Sequence, residues 1–362
     1  MLSVQERLRL ACDWFFHSGI QNSEGFLTGS VNAWYRKESR HYSFAHSEVT
    51  GYAITTCAYL GEDYLERAIS GAEWLIKSAG NSGAFMCRYA NGVFERHLCT
   101  FDNGIILNAL VNLFRLTKKE RYLRAAEKCA EWLLTMQNDD GSMHARQDCA
   151  TSEILRGNRW SAEPGSFHSK VAIGLLNIAR ALGNDEYEEK ARKLCTWALK
   201  RQQPDGRFIT DSATGGTYLH AHCYSIEGIL AIGTLVHEDK YVRAALRGIE
   251  WMKNAILETG GLSMEWNRSF STEEHVDSIA QAFRLFLLTD RGEDMREQLL
   301  KHLCEFQQVD GEKREKGGFH YTITGECARR DLSAHGTLFA IQALKLAMDM
   351  KSRENFNWFL YV

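Results

Sequence analysis

The chain has 362 residues and a formal net charge of −3, with 44% apolar and 25% charged residues, the balance of a soluble globular protein. Near-neutrality gives nucleic acid no electrostatic footing as a partner, and no run of 18 apolar residues offers a membrane span. Met1 to Arg7 lacks the charged-then-apolar profile of a signal peptide, and Cys57, Cys129, Cys195 and Cys304 lie inside helical patterns as small apolar residues do, so a reduced, cytoplasmic chain is expected.

Only Pro164 and Pro204 interrupt the chain, and long helices can therefore run unbroken. The first expected helix covers 4–17 and ends near Trp14. Next comes 46–60, poor in charge, and then a charged helix running from Tyr64 to Trp74. The alternation continues with 101–116, Tyr122 to Trp132, 167–182, Tyr187 to Trp197, 219–235, Tyr241 to Trp251, 275–289, Met295 to Phe306, and finally 333–349. Four of the charged helices set Tyr and Trp ten residues apart, and the anchors 14, 74, 132, 197, 251 and 306 recur at 54 to 65 residues. Such a period is the mark of a repeat architecture built from helix pairs. Charge on one face, as in Glu188-Glu189-Lys190, marks an outer, solvent-facing layer. The segment Ile105-Ile106-Leu107-Asn108-Ala109-Leu110, apolar nearly all round, marks a buried inner layer. The first outer and last inner helices each lack a partner, and closing a ring pairs them. The expected fold is an all-α (α/α)6 toroid of six helical hairpins, spanning 1–362 as one domain, with the tryptophans at 74, 132, 197 and 251 packed between the layers.

Links from inner to outer helices are short, as in Gly61-Glu62-Asp63, whereas the outer-to-inner links run to 15–30 residues and are rich in Gly, aromatic and charged residues. Long structured loops carry function more often than short ones. All of them fall at one end of the ring, where five of six inner helices begin with a histidine: His46, His168, His220 with His222, His275 and His335. Ser and Asp before a helix are ordinary caps, but capping does not call for histidine. Six convergent helix N-termini also favour an anionic ligand. The expected site therefore gathers Glu48, Asp102, His168, His222, Glu265 and His335 as acid/base groups. Asp102 is the first choice for acid or base, since Asn103-Gly104 leaves room beside it, and Glu48 or Glu265 is its counterpart. Around these, Trp34, Arg36, Arg40, Tyr89, Arg159, Trp160, Tyr224, Trp266, Asp277 and Tyr321 are expected to bind substrate. Aromatic faces stack on sugars and Arg forks hold carboxylates.

Gln137-Asn138-Asp139-Asp140-Gly141 and Gln202-Gln203-Pro204-Asp205-Gly206 follow outer helices and resemble the Gln…Asp-Gly turns of (α/α)6 toroid proteins. Phe101-Asp102-Asn103-Gly104 and Glu48-Val49-Thr50-Gly51-Tyr52 are similar to segments of unsaturated-glucuronyl-type hydrolases, N-acylglucosamine 2-epimerases and the helical domain of glucuronyl C5-epimerases. The resemblance implies a carbohydrate-active enzyme that hydrolyses or epimerises a sugar bearing a carboxylate, with no cofactor and no metal. It leaves the reaction open. One alternative is a zinc-dependent cyclase or prenyltransferase-like toroid, with ligands drawn from Cys99, Cys223, His222 and His335. No terpene-cyclase-like Asp-x-Asp-Asp run accompanies it. The other is a non-catalytic toroid that binds glycan or protein.

Overall fold

A computed structural model describes residues 2–157, 159–323, 330–349 and 355–362. Among these residues are twelve α-helices: α1 Val4–His17, α2 Ser47–Leu60, α3 Leu65–Lys77, α4 Thr100–Thr117, α5 Glu120–Thr135, α6 Val171–Leu182, α7 Asp185–Leu199, α8 Leu219–Leu235, α9 Asp239–Met252, α10 Val276–Leu288, α11 Glu293–Glu305 and α12 Ala334–Met348. The even-numbered helices form the inner ring. In α8, 14 of 17 residues are buried, because the helix is covered on one side by its ring neighbours and on the other by an outer helix. The odd-numbered helices bury a single stripe, as α3 does through Ala68, Gly71, Ala72, Trp74 and Leu75. Helix α12 packs on α2 and α1 packs on α12, so the ring closes as the unpaired terminal helices require. Trp74, Trp132 and Trp251 are buried between the layers, whereas Trp197 is half-buried with the Arg201 guanidinium over its ring.

The Gln…Gly turns are the joints between neighbouring outer helices. Gln202 donates to the Gly206 carbonyl within its own turn and to the Ala244 carbonyl of α9. Gln137 does the same to Gly141 and Lys190, and Gln21 to Gly29 and Arg67. Gln307 closes the ring by donating to Gly317 and to Arg7 of α1. The turn glycine has to be glycine twice over. Gly206 sits at φ +101°, and a Cβ there would drive into the Arg247 carbonyl of the adjoining helix.

The long loops meet at one end and are laced by short antiparallel ladders. Trp34–Arg36 pairs with Leu332–Ser333 across the ring closure, Ala45–His46 with Arg88–Ala90, His97–Cys99 with Arg146–Asp148, and Thr217–Tyr218 with Glu265–Trp266. At the opposite end, residues 355–362 fill the bore. The Phe359 carbonyl accepts from Asn108 and Asn112, and Trp358, Phe359 and Tyr361 are buried. Above them lies a buried charge cluster. Glu227 accepts from Lys170 Nζ at 2.7 Å, Gln281 at 3.1 Å and Tyr361 OH at 3.0 Å, with Arg284 at 3.4 Å.

Candidate active site

The mouth of the bore is lined by the first turns of the inner helices. Two clusters face each other there. In the first, the His46 ring stands between two carboxyls, with Nδ1 3.9 Å from Glu48 Oε2 and Nε2 3.8 Å from Asp102 Oδ2. Burial raises the Asp102 carboxyl to about 6. Burial, and then Asp102 and Asp277 beside it, hold the Glu48 carboxyl well above the ordinary range. The His46 imidazole is driven down to about 4 by burial and by Arg88 and His97. Burial thus favours the protonated form of Glu48 and the neutral form of His46, and brings Asp102 close to the pH at which it can both give and take a proton. Asp102 Oδ2 is buried without a hydrogen-bond partner, as is Arg146 Nε. Unsatisfied buried polar atoms are costly in a finished core and ordinary in a site that awaits a ligand.

In the second cluster Asp277 lies between two histidines, its Oδ2 3.7 Å from His220 Nδ1 and 3.8 Å from His335 Nδ1. Burial works against the ionised Asp277, yet His220, His275 and His335 around it hold it below the usual range. His220 Nδ1 donates to Gln281 Oε1 at 2.7 Å, so in the neutral ring the lone pair is on Nε2. Tyr52 OH donates to Tyr224 OH at 3.0 Å, and Tyr224 OH donates to His335 Nε2 at 3.1 Å. That bond places the His335 proton on Nδ1, facing Asp277. Burial, and then His220, push His335 down to about 3. The two imidazole rings meet edge to face with centroids 5.3 Å apart.

The aromatic rim forms in two places. Trp34 packs edge-on to Tyr321, which in turn lies on His275. Trp160 packs on Phe167 and Tyr218, and Tyr218 pairs with Glu265 in the ladder that carries Trp266, where Arg207 lies 4.0 Å over the indole. Tyr89 is farther out, against Phe26 and Phe94. Arg36 and Arg159 are exposed, and Arg40 is exposed and paired with Glu312.

Of the residues singled out in the sequence, Glu48, Asp102, Asp277, Tyr224 and His335 come together at the mouth. Glu265 stands on the rim. His168 and His222 do not join them. His168 Nδ1 is 3.2 Å from the Gly165 N–H, and His222 accepts from Phe208 N–H and donates to the Gly248 carbonyl of α9. Both rings are buried within the wall. The zinc ligands expected for a cyclase do not assemble either: Cys223 is buried against Met252 Sδ at 3.5 Å. The sequence places His46 and His220 at inner-helix starts, but the acid/base set expected from it does not include them. The signal was the ring of histidines itself; their spacing from the helix start decides whether each looks inward or outward.

A family model described as "Squalene-hopene cyclase C-terminal domain" matches residues 64–327. The chain belongs to that family. Solved structures share the fold over nearly the whole chain. The cellobiose 2-epimerase from Bacillus thermoamylovorans B4167 is 12% identical with a TM-score of 0.76, covering 94% of this chain and 98% of that one. A D-mannose isomerase is 14% identical with a TM-score of 0.74, covering 96% and 97%. The unsaturated glucuronyl hydrolase from Bacillus sp. GL1 is 12% identical with a TM-score of 0.70, covering 94% and 96%. At such identities the likeness shows the toroid alone. An uncharacterized protein of Caenorhabditis elegans, B0495.5, is 29% identical over 121 residues, 32% of this chain; the match spans 16% of that protein's length. No helix among the described residues is long and apolar enough to cross a membrane.

Proposed function

We propose that the chain is a carbohydrate-active enzyme that epimerises or isomerises a sugar at the carbon beside its carbonyl. One observation carries this: two imidazoles, His220 and His335, flank a single carboxylate, Asp277, at the mouth of the bore, with their Nδ1 atoms 3.7 and 3.8 Å from its Oδ2. Proton abstraction and return at one carbon need a base on one side and an acid on the other. His220 offers the free Nε2. His335 is supplied with protons through Tyr224 and Tyr52 and is steadied by Asp277. The carbonyl oxygen, gaining charge, is met by the Glu48 carboxyl, which burial holds toward its protonated form. Trp34 and Trp160 supply stacking faces for the sugar ring. An epimerase and an isomerase among solved structures of the same fold support the reading.

A second reading rests on a separate observation. Glu48 and Asp102 flank one imidazole, and a protonated acid beside a second carboxyl is the equipment of a glycosidase. On that reading the substrate is a uronate, whose carboxylate meets Arg146. The glucuronyl hydrolase of the same fold supports it.

Proton NMR in D2O separates the two. Aldoses, cello-oligosaccharides and uronates are incubated with the purified chain, and deuterium entry at the carbon beside the carbonyl is followed. Exchange is expected, falling about 10²–10⁴-fold in His220→Gln and in His335→Gln. Cleavage of unsaturated uronyl oligosaccharides without any exchange, abolished by Asp102→Asn, would put the second reading in place of the first.

A further inference from the structure

The loop between α3 and α4 holds three metal-ligating side chains that the acid/base reading leaves unused. His97 and Cys99 flank buried Leu98 on the strand His97–Cys99, and residues two apart on a strand share a face. Met86 pairs with Leu98 in antiparallel register. That register sets Cys87 opposite His97 and diagonal to Cys99, on the same face as both. The Cys87 amide donates to the His97 carbonyl, which fixes the pairing. As a result, one ligand atom from each of Cys87, His97 and Cys99 lies within 4.8 Å of the other two. Cys87 also belongs to a second such trio with His46 and Asp102. There Sγ stands 3.7 Å from His46 Nε2, and Asp102 Oδ2 is buried with no hydrogen-bond partner.

We propose that Cys87, Cys99 and His97 bind a zinc ion, with the fourth position on the Asp102 side, taken by its carboxylate or by a water. Zinc at about 2.3 Å from sulfur and about 2.0 Å from nitrogen sets its donors roughly 3.5–3.8 Å apart, so the trio needs to close by only about 1 Å. Two sulfurs and one imidazole select zinc over magnesium or calcium, which take oxygen ligands. Binding releases two thiol protons, and the two thiolates balance the charge of the divalent ion. The orphaned Asp102 oxygen gains a partner. The ion fastens the 86–99 loop over the N-terminus of α4, in the wall of the mouth. The two-imidazole chemistry of His220 and His335 does not depend on it.

The test is metal analysis of the full chain, purified under reducing conditions after expression with zinc, and titration of the metal-free chain with cobalt(II). About one zinc per chain is expected, and a thiolate-to-cobalt charge-transfer band with tetrahedral ligand-field bands. Both should vanish in Cys87→Ala and in Cys99→Ala, weaken in His97→Ala, and persist in Cys304→Ala. Alkylation mapped by mass spectrometry covers the case in which the variants fold poorly: in the unaltered chain, zinc should protect Cys87 and Cys99 and leave Cys304 as it was. Cobalt spectra without thiolate bands, retention of full metal by Cys99→Ala, or equal labelling of Cys87 with and without zinc would each overturn the site. So would a Cys87–Cys99 disulfide in place of metal.

Discussion

At the base of the bore Glu227 is held by Lys170 at 2.7 Å and by Gln281 and Tyr361 at 3.1 and 3.0 Å, while Arg284 reaches Gln342 at 2.8 Å. At the mouth, in the same ring of helices, the acid–imidazole pairs stand 3.7–3.9 Å apart, and Asp102 Oδ2 has no hydrogen bond. Both ends bury charge-bearing groups. At the base every charged side chain has a partner within hydrogen-bonding reach, although Arg284 Nε itself has none, and this pairing offsets much of the desolvation. At the mouth the groups are desolvated but left apart, so burial shows as displaced protonation instead. One inner ring thus divides into a structural end and a chemical end, and the difference lies in how closely the charge-bearing groups are paired, 2.7–3.4 Å at the base against 3.7–3.9 Å at the mouth, rather than in which residue types occur.

That division can be broken or sharpened by experiment. The largest effect belongs to the base: Glu227→Ala leaves Lys170 and Arg284 buried without their counter-charge and should cost about 3–5 kcal/mol in urea unfolding. A neutral result would remove the structural end of the comparison. Next is the joint between outer helices. Gly206→Ala combines a positive φ with a backbone clash and should cost about 2–4 kcal/mol, with no change in mouth chemistry. Third is the pair of histidines inside the wall. Burial pushes His168 and His222 down to about 4 from an ordinary 6.5. The folded chain therefore declines protons that the unfolded chain accepts, and stability falls as pH is lowered from about 6.5 toward 4. The slope is up to about 1.4 kcal/mol per pH unit for each histidine. His222→Gln should flatten the measured slope by one group's share; an unchanged slope would mean that this imidazole titrates freely. The smallest effect is at the mouth, where His220→Gln and His335→Gln should move stability by no more than about 1 kcal/mol while exchange chemistry collapses. A larger loss would make the mouth a structural end after all.

The ring was legible because its signals repeat. Trp74, Trp132 and Trp251 recur at one helical face, and the terminal helices are left without partners; packing then has one solution. The mouth was legible as a place, since the long links must gather where the inner helices begin. Its composition was less so. His222 and His220 are two residues apart on α8, and a helix turns about 200° over two residues, so one faces Asp277 and the other α9. A list of histidines near helix starts carries no such phase. The Cys87, His97 and Cys99 trio was hidden for another reason. It depends on the register of Met86 against Leu98, a pairing of single residues in a loop that no periodicity announces.

The joint from Gln307 to Arg7 spans 300 positions of sequence yet repeats what Gln202 does with Ala244 over 42. In an open stack of repeats the outermost units have one neighbour, fray first and need special caps. A closed band has no outermost unit. Each hairpin here is buttressed from both sides, and none is a designated weak end from which melting begins. The corresponding penalty is kinetic, because the final contact must bring together segments at nearly maximal separation along the chain. Hairpins should therefore gather as a curved strip, and the seam at Gln307 should lock it last.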